Sequence, residues 1–233
     1  MTYEDFFARV EIEDSDKVKA KHYLDVRGIS EHIFVADYIQ SLKVNKVTYA
    51  EVATAFRYDK RIRRIVYKYI GFLEEYIRAY IINKYEEDYS DISLTNDVLK
   101  KINKSPSFYE AIVGLTFGEL ISQVLLLSSD DINNLFHCDY RQQNLRALVG
   151  LRNEVNHNRF LLHNKSLREC QVGTMKQCSL YANILNLINH LPMGFDESFI
   201  GEINNAVKSS DSQIGYQMEW VLVPDIVIQV IKE

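Results

Sequence analysis

Glycine and proline are scarce in this sequence, with 9 Gly and 3 Pro among 233 residues. Both residues interrupt regular structure, so their scarcity favours long helices over a many-turned β-sandwich. Hydrophobic residues make up 47% of the chain and charged residues 25%, which is typical of a globular protein and excludes a disordered or fibrous one. At ~100–200 residues per domain, the length predicts one domain with additions or a small pair.

Cysteine is also rare, and the three residues Cys138, Cys170 and Cys178 form no CxxC or CxxH pair. Their number and spacing indicate neither a disulfide framework nor a zinc site, and we interpret them as reduced thiols in a helical core. The sequence contains no glycine-rich phosphate loop, GxSxG or HExxH, and no His or Cys pair at metal-ligand spacing. We therefore expect neither a metal nor a cofactor.

Long apolar runs are missing as well. No run approaches the ~18 residues that a membrane-spanning helix needs. The N-terminal sequence MTYEDFFARVEIED is acidic, whereas a signal peptide is basic and then apolar. These features predict a cytoplasmic protein without a membrane partner.

Helix signals dominate the middle of the chain. Thr48 and Glu51 fit a capping box, and apolar residues recur at spacings of three and four from Asp59 to Tyr85. A Ser107/Glu110 box predicts a second helix, which runs through FYEAIVGLTFGELISQVLLL. A third helix is predicted from about Tyr140 to His157. A Ser166/Glu169 box predicts a fourth helix, which ends near Pro192.

The two ends of the chain read differently from this middle part. Residues 1–47 mix charge with short apolar runs and are predicted to form only fragmentary helices. After Pro192, glycines and the polar run KSSDSQ predict a less regular segment, whose end is either a short hairpin or a helix starting at Pro224. The predicted fold is all-α, with an N-terminal helical extension (1–47), a helical-bundle domain (48–192) and a C-terminal extension (193–233).

Charge is unevenly distributed along the chain. The formal net charge of −5 argues at first against a nucleic-acid partner. Between His137 and Lys176, however, seven Lys and Arg face three Asp and Glu, a local charge of +4 that leaves −9 for the rest. The net charge therefore does not exclude an RNA-binding region around this basic segment.

The basic segment contains the run Arg152-Asn153-Glu154-Val155-Asn156-His157. An imidazole titrates near pH 6.5 and exchanges protons at cellular pH. An arginine fork holds a phosphate at two points and offsets charge that develops on it. Those are the two functions that metal-free RNA cleavage needs, namely proton transfer and stabilisation of the charged phosphorane.

Helix geometry limits what one copy of this run can do. Arg152 and His157 are five residues apart, which means about 140° of rotation and roughly 7.5 Å of rise. Asn153 and His157, four apart, do share a face. One chain therefore makes half a site unless Arg152 reaches around the helix or a second subunit supplies the other half.

Three segments together resemble a known family. LRNEVNHNRFLLHN is similar to the signature of the HEPN superfamily, in which an Arg and a polar residue precede a His four to six residues after the Arg. The helix YDKRIRRIVYKYIGFLEEYIRAYI resembles the Abi-like branch of bacterial abortive-infection proteins, with Asp59, Glu74 and Arg78 at matching positions, and LTFGELISQVL resembles it too. The resemblance covers about Thr48 to Pro192.

The resemblance implies a helical bundle of four or five helices that pairs as a homodimer and brings two Arg/His motifs into one cleft. The implied activity is a metal-independent endoribonuclease that leaves 2′,3′-cyclic phosphate ends and acts in phage defence or as a toxin. Carried over to this chain, Arg152, Asn153 and His157 are the catalytic residues.

For five other polar residues, two roles stay open. Arg146, Arg159 and His163 either bind the RNA backbone or face solvent, and Glu74 with Arg78 either orients the cleft or forms an ordinary i,i+4 pair. Two further functions stay open. One is a non-catalytic helical module that binds RNA or protein, and the other is a toxin silenced by an antitoxin protein or a noncoding RNA.

Overall fold

Helices account for most of the chain. The computed structural model describes residues 1–104, 107–136, 142–208 and 219–231. The secondary structure is 64% helix and 5% strand, which confirms the predicted all-α class. Within these ranges, no helix combines the length and apolarity that crossing a bilayer requires.

Two small sheets accompany the helices. In the described part of the chain, the α-helices are α1 Tyr3–Phe7, α2 Asp14–Arg27, α3 Ile29–Ser41, α4 Tyr49–Tyr85, α5 Asn96–Ile102, α6 Phe108–Val113, α7 Phe117–Val124, α8 Ser129–Leu135, α9 Gln142–Asn156, α10 Leu180–His190 and α11 Phe195–Asn205. The strands are β1 Val10–Glu11, paired in parallel with β2 Val47–Thr48, and β3 Cys170–Val172, paired antiparallel with β4 Met175–Gln177.

The longest helix, α4, begins at Tyr49 rather than near Asp59. The predicted capping box explains this start, because the Glu51 carboxylate accepts the Thr48 N–H at 2.8 Å and the Thr48 hydroxyl accepts the Glu51 N–H at 3.2 Å. The helix ends at Tyr85, as predicted. Most of its apolar positions at three-four spacing are buried, and Ile65, Tyr76 and Tyr80 are half-buried.

Residues 1–47 are more regular than predicted. Helix α2 has 14 residues and α3 has 13, and Gly28 separates them with a φ of 90°. Glycine adopts this left-handed region without a steric penalty. Helix α2 buries only Ala20 and Leu24, so its apolar periodicity is weak, and the prediction of fragmentary helices was wrong for this reason.

The helix predicted after Ser107 is two helices. The Ser107 hydroxyl caps α6 by accepting the Glu110 N–H at 3.2 Å. A separate capping box then opens α7, in which the Thr116 hydroxyl accepts the Glu119 N–H at 3.3 Å and the Glu119 carboxylate accepts the Thr116 N–H at 2.6 Å. The continuous apolar pattern concealed this second start.

Ser166 and Glu169 do not open a helix. An irregular loop follows α9, and the hairpin β3–β4 then turns at Gly173, whose φ is 57°. Helix α10 begins only after Ser179, whose hydroxyl accepts a backbone N–H at 3.1 Å. The Ser166 N–H is bound instead by the side chain of Asn164 at 2.8 Å, so the capping-box spacing was misleading here. Helix α9 matches the prediction of a helix from about Tyr140 to His157, although Tyr140 lies outside the described residues.

The C-terminal segment forms neither the hairpin nor the α-helix considered above. Pro224–Ile226 makes a single 3₁₀ turn, and the neighbouring described residues are irregular. Side chains of α4 hold the segment, because the Thr54 hydroxyl accepts the Val221 N–H at 3.1 Å and the Tyr58 hydroxyl accepts the Ile228 N–H at 2.9 Å.

The chain divides into two units with their own cores. The first unit comprises the described residues of Met1–Ile62 and Ile203–Glu233, and the second unit those of Arg63–Glu202. This division differs from the predicted segments 1–47, 48–192 and 193–233. The reason is that the first turns of α4 pack on the N-terminal helices, for example Phe56 against His32 at 4.6 Å between ring centroids, and also hold the C-terminal segment.

Candidate active site

The predicted catalytic run occupies the C-terminal end of α9. His157 follows the last helical residue, and its N–H donates to the Asn153 carbonyl at 2.9 Å. The Asn158 N–H donates to the Val155 carbonyl and the Arg159 N–H to the Glu154 carbonyl, both at 3.1 Å. This pair of bonds is a Schellman motif, which satisfies carbonyls that a helix end normally leaves open.

Asn158 adopts the left-handed conformation that the motif requires. Its φ is 55°, the one positive value at a non-glycine position among the described residues. The Arg63 guanidinium, on α4, donates to Asn158 Oδ1 at 2.9 Å, and Arg63 is only 8% exposed. A buried cation therefore fixes the turn directly after His157.

The three predicted catalytic side chains are open to ligands. Asn153 and His157 are exposed, and Arg152 is half-buried. Within the described part of the chain, no hydrogen bond or ion pair engages any of their side chains. Their polar groups therefore take no part in the hydrogen bonds and ion pairs among the described residues.

Glu154 does not neutralise Arg152. Its carboxylate accepts a hydrogen bond from Asn164 Nδ2 at 2.7 Å, and Asn164 Oδ1 accepts the Ser166 N–H at 2.8 Å. The loop after α9 is thereby folded back onto the helix. The carboxylate within the motif is directed to that loop rather than to the neighbouring guanidinium.

One exposed face of α9 carries three of the predicted residues. By helix geometry, Arg146, Asn153 and His157 lie within about 40° of one another, along roughly 16 Å of the axis. All three are exposed. The arginine that shares the face of His157 is thus Arg146, while Arg152 is turned about 140° away, as the sequence predicts.

The remaining predicted contacts to RNA lie just beyond the helix. Arg159 is exposed, and His163 is half-buried. Burial lowers the pKa of His163, and the Lys165 cation lowers it further. His163 is therefore held toward its neutral form, so it is a weaker phosphate ligand than the arginines.

The other charged residues of the +4 segment between His137 and Lys176 lie in different environments. Its members His137, Cys138 and Arg141 lie outside the described residues. Lys176 pairs with Glu169 at 3.1 Å. The Arg168 side chain covers Gly150, where an added Cβ would meet it at 3.0 Å.

The cysteines differ from one another in burial. Cys170 on β3 is buried, and burial raises its pKa to about 11. Cys178 is exposed, so the interpretation of this residue as a core thiol was wrong.

Glu74 and Arg78 form a structural clamp. Arg78 Nη2 donates to Glu74 at 2.5 Å and to the Leu115 carbonyl at 2.6 Å. Arg78 Nη1 donates to the carbonyls of Ile112 and Val113 at 2.5 and 3.0 Å. The guanidinium thus satisfies open carbonyls at the end of α6, which goes beyond an ordinary i,i+4 pair. A role in orienting a cleft stays a prediction.

The first unit contains a groove of about 710 Å³ with the opposite charge. Its lining includes the acids Glu11, Glu13, Asp16, Glu51 and Glu219 and the single cation Lys19. An RNA phosphate would be repelled from this groove. The exposed face of α9 is the better candidate site for a polyanion.

The role of Arg63 was not predicted, because this residue lies in the basic run RYDKRIRRIVYKY, whose charged side chains alone do not indicate a tertiary contact. Its role depends on a contact with Asn158, 95 positions away. The tolerance of asparagine for the left-handed region was the one local signal in the sequence.

Comparison of the chain with protein-family models, curated proteins and solved structures finds no match. The HEPN resemblance therefore rests on the motif residues and on the helical class of the fold. In the described part of the chain, no group of three or more His, Cys, Asp or Glu side chains is placed to hold a metal ion.

Proposed function

We propose that the chain is a metal-independent endoribonuclease of the HEPN type, close to the Abi-like abortive-infection proteins. The observation that carries the proposal is the set Arg152, Asn153 and His157, whose side chains have no partner within the described residues and which lie at a helix end fixed by its own turn. Because these polar groups make no hydrogen bond or ion pair within the described residues, they are available to a ligand.

The proposed reaction is a transesterification. The 2′-oxygen of one nucleotide attacks the neighbouring phosphorus, the bond to the 5′-oxygen of the next nucleotide breaks, and the products end in a 2′,3′-cyclic phosphate and a 5′-hydroxyl. One His157 imidazole accepts the 2′-hydroxyl proton, and a protonated imidazole donates a proton to the leaving oxygen. The Arg152 guanidinium stabilises the charge on the phosphorane, and Asn153 orients the group bound next to His157.

A homodimer supplies both proton-transfer roles at once. Each chain carries one His157, whereas the reaction uses one base and one acid. The 140° offset between Arg152 and His157 also favours a site built from two copies. Arg146 and Arg159 are exposed and extend the positive surface on which the RNA backbone would lie.

Cleavage of RNA in the presence of EDTA tests the proposal. We expect the wild-type protein to cut single-stranded RNA, and Arg152→Ala and His157→Ala to lower the rate by about 100-fold or more. His22→Ala is the matched control, because His22 is an exposed histidine of the first unit and should leave the rate unchanged. Equal cleavage by all four proteins, or none by a folded wild type, contradicts the assignment.

Mixing the two inactive variants extends this test to the dimer. A heterodimer of Arg152→Ala and His157→Ala holds one Arg152 and one His157, so it lacks one of the two imidazoles that the reaction uses. The mixture should therefore stay as inactive as the separate variants. Return of activity in the mixture, or cleavage by a strictly monomeric wild type, contradicts a site that uses one His157 from each of two chains.

The alternative is a non-catalytic module that holds RNA or a protein. The exposed arginines of α9 favour RNA as its ligand. Such a module would retain RNA with an affinity that falls steeply with salt, and it would release no cyclic-phosphate product.

A role in phage defence or as a toxin belongs to the same proposal, as does cytoplasmic activity restrained by an antitoxin protein or a noncoding RNA. Expression of an active RNA-cutting enzyme should slow bacterial growth. Relief of that effect by His157→Ala would favour the nuclease over the binding module.

A further inference from the structure

The contact between Arg63 and Asn158 places one stretch of α4 beside the end of α9. Arg63 Nη1 and Asn158 Oδ1 are 2.9 Å apart, and Asn158 directly follows His157. Residues that extend from the same side of α4 therefore border the proposed catalytic run.

Tyr67 follows Arg63 on this side of α4, and Arg64 is the neighbour of Tyr67 on the helix surface. One turn after Arg63, Tyr67 is about 6 Å further along the axis and about 40° around it. Arg64 is about 100° around from Arg63, and it is a surface neighbour of Tyr67 at i,i+3 spacing. Tyr67 is 59% exposed, and Arg64 is exposed as well.

The Tyr67 ring is uncovered, in contrast to the rings of Tyr69 and Tyr89. Tyr69 is buried against Phe199, with ring centroids 4.8 Å apart. Tyr89 is exposed but stacks on Phe108 at 5.0 Å with an interplanar angle of 8°. Among the described residues, no ring and no hydrogen bond engages the Tyr67 side chain. Both faces of this aromatic ring are therefore candidates for stacking.

Arg64 is the cation that stays available beside this ring. The neighbouring Lys68 pairs with Glu202 at 2.5 Å, which neutralises it. Arg64 has no acidic partner in the described part of the chain. An open guanidinium next to an open aromatic ring matches one nucleotide, with its phosphate on the first and its base on the second.

We propose that Tyr67 and Arg64 form a nucleotide subsite that selects single-stranded RNA beside the catalytic run. In a duplex, the base faces are covered by neighbouring base pairs, so the ring cannot stack on them. An unpaired base is free to stack on Tyr67 while Arg64 binds its phosphate. The inference rests on the proposed function and names its substrate class.

Binding measured without cleavage tests the subsite. The probes are a labelled single-stranded RNA of mixed sequence and the same strand annealed into a duplex, each titrated against His157→Ala protein by fluorescence anisotropy. In this background, adding Tyr67→Ala should weaken single-strand binding about 5- to 100-fold and leave duplex binding within about twofold. Tyr67→Phe, which keeps the ring, should stay within about threefold of the parent.

Two further variants separate stacking from general effects. Arg64→Ala should weaken both probes and reduce the slope of log affinity against log salt by about one. Tyr109→Ala is the matched control, because Tyr109 is another exposed tyrosine of the second unit, 48% exposed, and its loss should change nothing. Equal effects of Tyr67→Ala and Tyr109→Ala, or no effect of Tyr67→Ala, overturn the subsite.

The subsite and the nuclease fail in different ways. Single-strand binding that depends on Tyr67, together with a wild type that does not cleave, leaves the subsite standing and overturns the nuclease. Cleavage that depends on His157 but is unchanged by Tyr67→Ala does the opposite. A parent protein that binds neither probe overturns the subsite.

Discussion

The end of α6 and the end of α9 use arginine in opposite ways. At the end of α6, Arg78 is half-buried and donates to the Glu74 carboxylate and three backbone carbonyls. At the end of α9, the Arg152 side chain has no such partner within the described residues, and backbone bonds close the helix instead. The first arginine therefore contributes to the fold, whereas the second makes no polar contact within the described residues.

Histidine shows the same contrast. His190 is 2% exposed, its Nδ1 lies 2.7 Å from the Asn186 carbonyl, and its ring packs against Phe136 at 5.1 Å. His157 is exposed, with no side-chain partner among the described residues. His190 thus contributes to the packing of the core, whereas His157 makes no hydrogen bond or ring contact within the described residues.

Replacing Arg78 should produce the largest effect on stability. Arg78→Ala removes the donor to the Glu74 carboxylate and to three carbonyls, of which only that of Ile112 keeps another N–H among the described residues. We expect a loss of about 3 kcal/mol in the free energy of unfolding. Urea denaturation measures this loss. Arg152→Ala is the matched variant and should stay within about 0.5 kcal/mol of the wild type. Equal losses of stability in the two variants would contradict a structural role of Arg78 that Arg152 does not share.

The turn after His157 should give the next largest effect. Asn158→Val places a β-branched residue at a φ of 55° and removes the bond from Arg63, so we expect a loss of about 2 kcal/mol. Asn158→Gly keeps the backbone conformation and loses only the side-chain bond, with a cost of about 1 kcal/mol. Thermal unfolding of the two variants compares them. A Val variant as stable as the Gly variant would show that the left-handed turn is not fixed.

The smallest effect concerns pH. Burial lowers the pKa of His190, although its bond to the Asn186 carbonyl opposes this. In the unfolded chain His190 takes up a proton near pH 6.5, whereas in the folded protein it stays neutral to a lower pH. Its contribution to the free energy of unfolding is therefore fully present above pH 6.5 and is lost as the pH falls toward the lowered pKa. The slope for one proton is at most ~1.4 kcal/mol per pH unit. Urea denaturation at pH 7.5 and 5.5 should show a smaller difference for His190→Leu than for the wild type.

His157→Ala is the control for this pH dependence. An exposed histidine without a partner should leave the pH dependence of stability as it is in the wild type. A pH dependence of stability that is reduced in His157→Ala and unchanged in His190→Leu would show that His157, and not His190, causes it.

The sequence predicted the elements that local chemistry decides. Scarce glycine and proline indicated helices, the Thr48 and Glu51 box marked the start of α4, and the motif lies at the end of α9 as expected. The helix predicted from the Ser166/Glu169 box was wrong, because the same short spacing also occurs in loops. Helix α2 was missed because so little of it is buried.

The support of the site could not be predicted because it depends on tertiary contacts. Arg63 belongs to a basic run that reads as solvated, and only the folded chain brings it to Asn158. Tyr67 sits in a helix whose other tyrosines include the buried Tyr58 and Tyr69, so its exposure is visible only in the structure. The spacing of residues along a helix predicts the face on which each side chain lies. Whether that face is buried depends on how a neighbouring helix packs against it.

The Schellman turn has a consequence for binding entropy. Helix ends usually fray, and a flexible end must be ordered when a ligand binds, which weakens affinity. Here three backbone bonds and the Arg63 guanidinium order the chain around His157 during folding. The loss of conformational freedom then falls on the folding step, and a ligand that bound at this helix end would meet a His157 backbone that is already ordered.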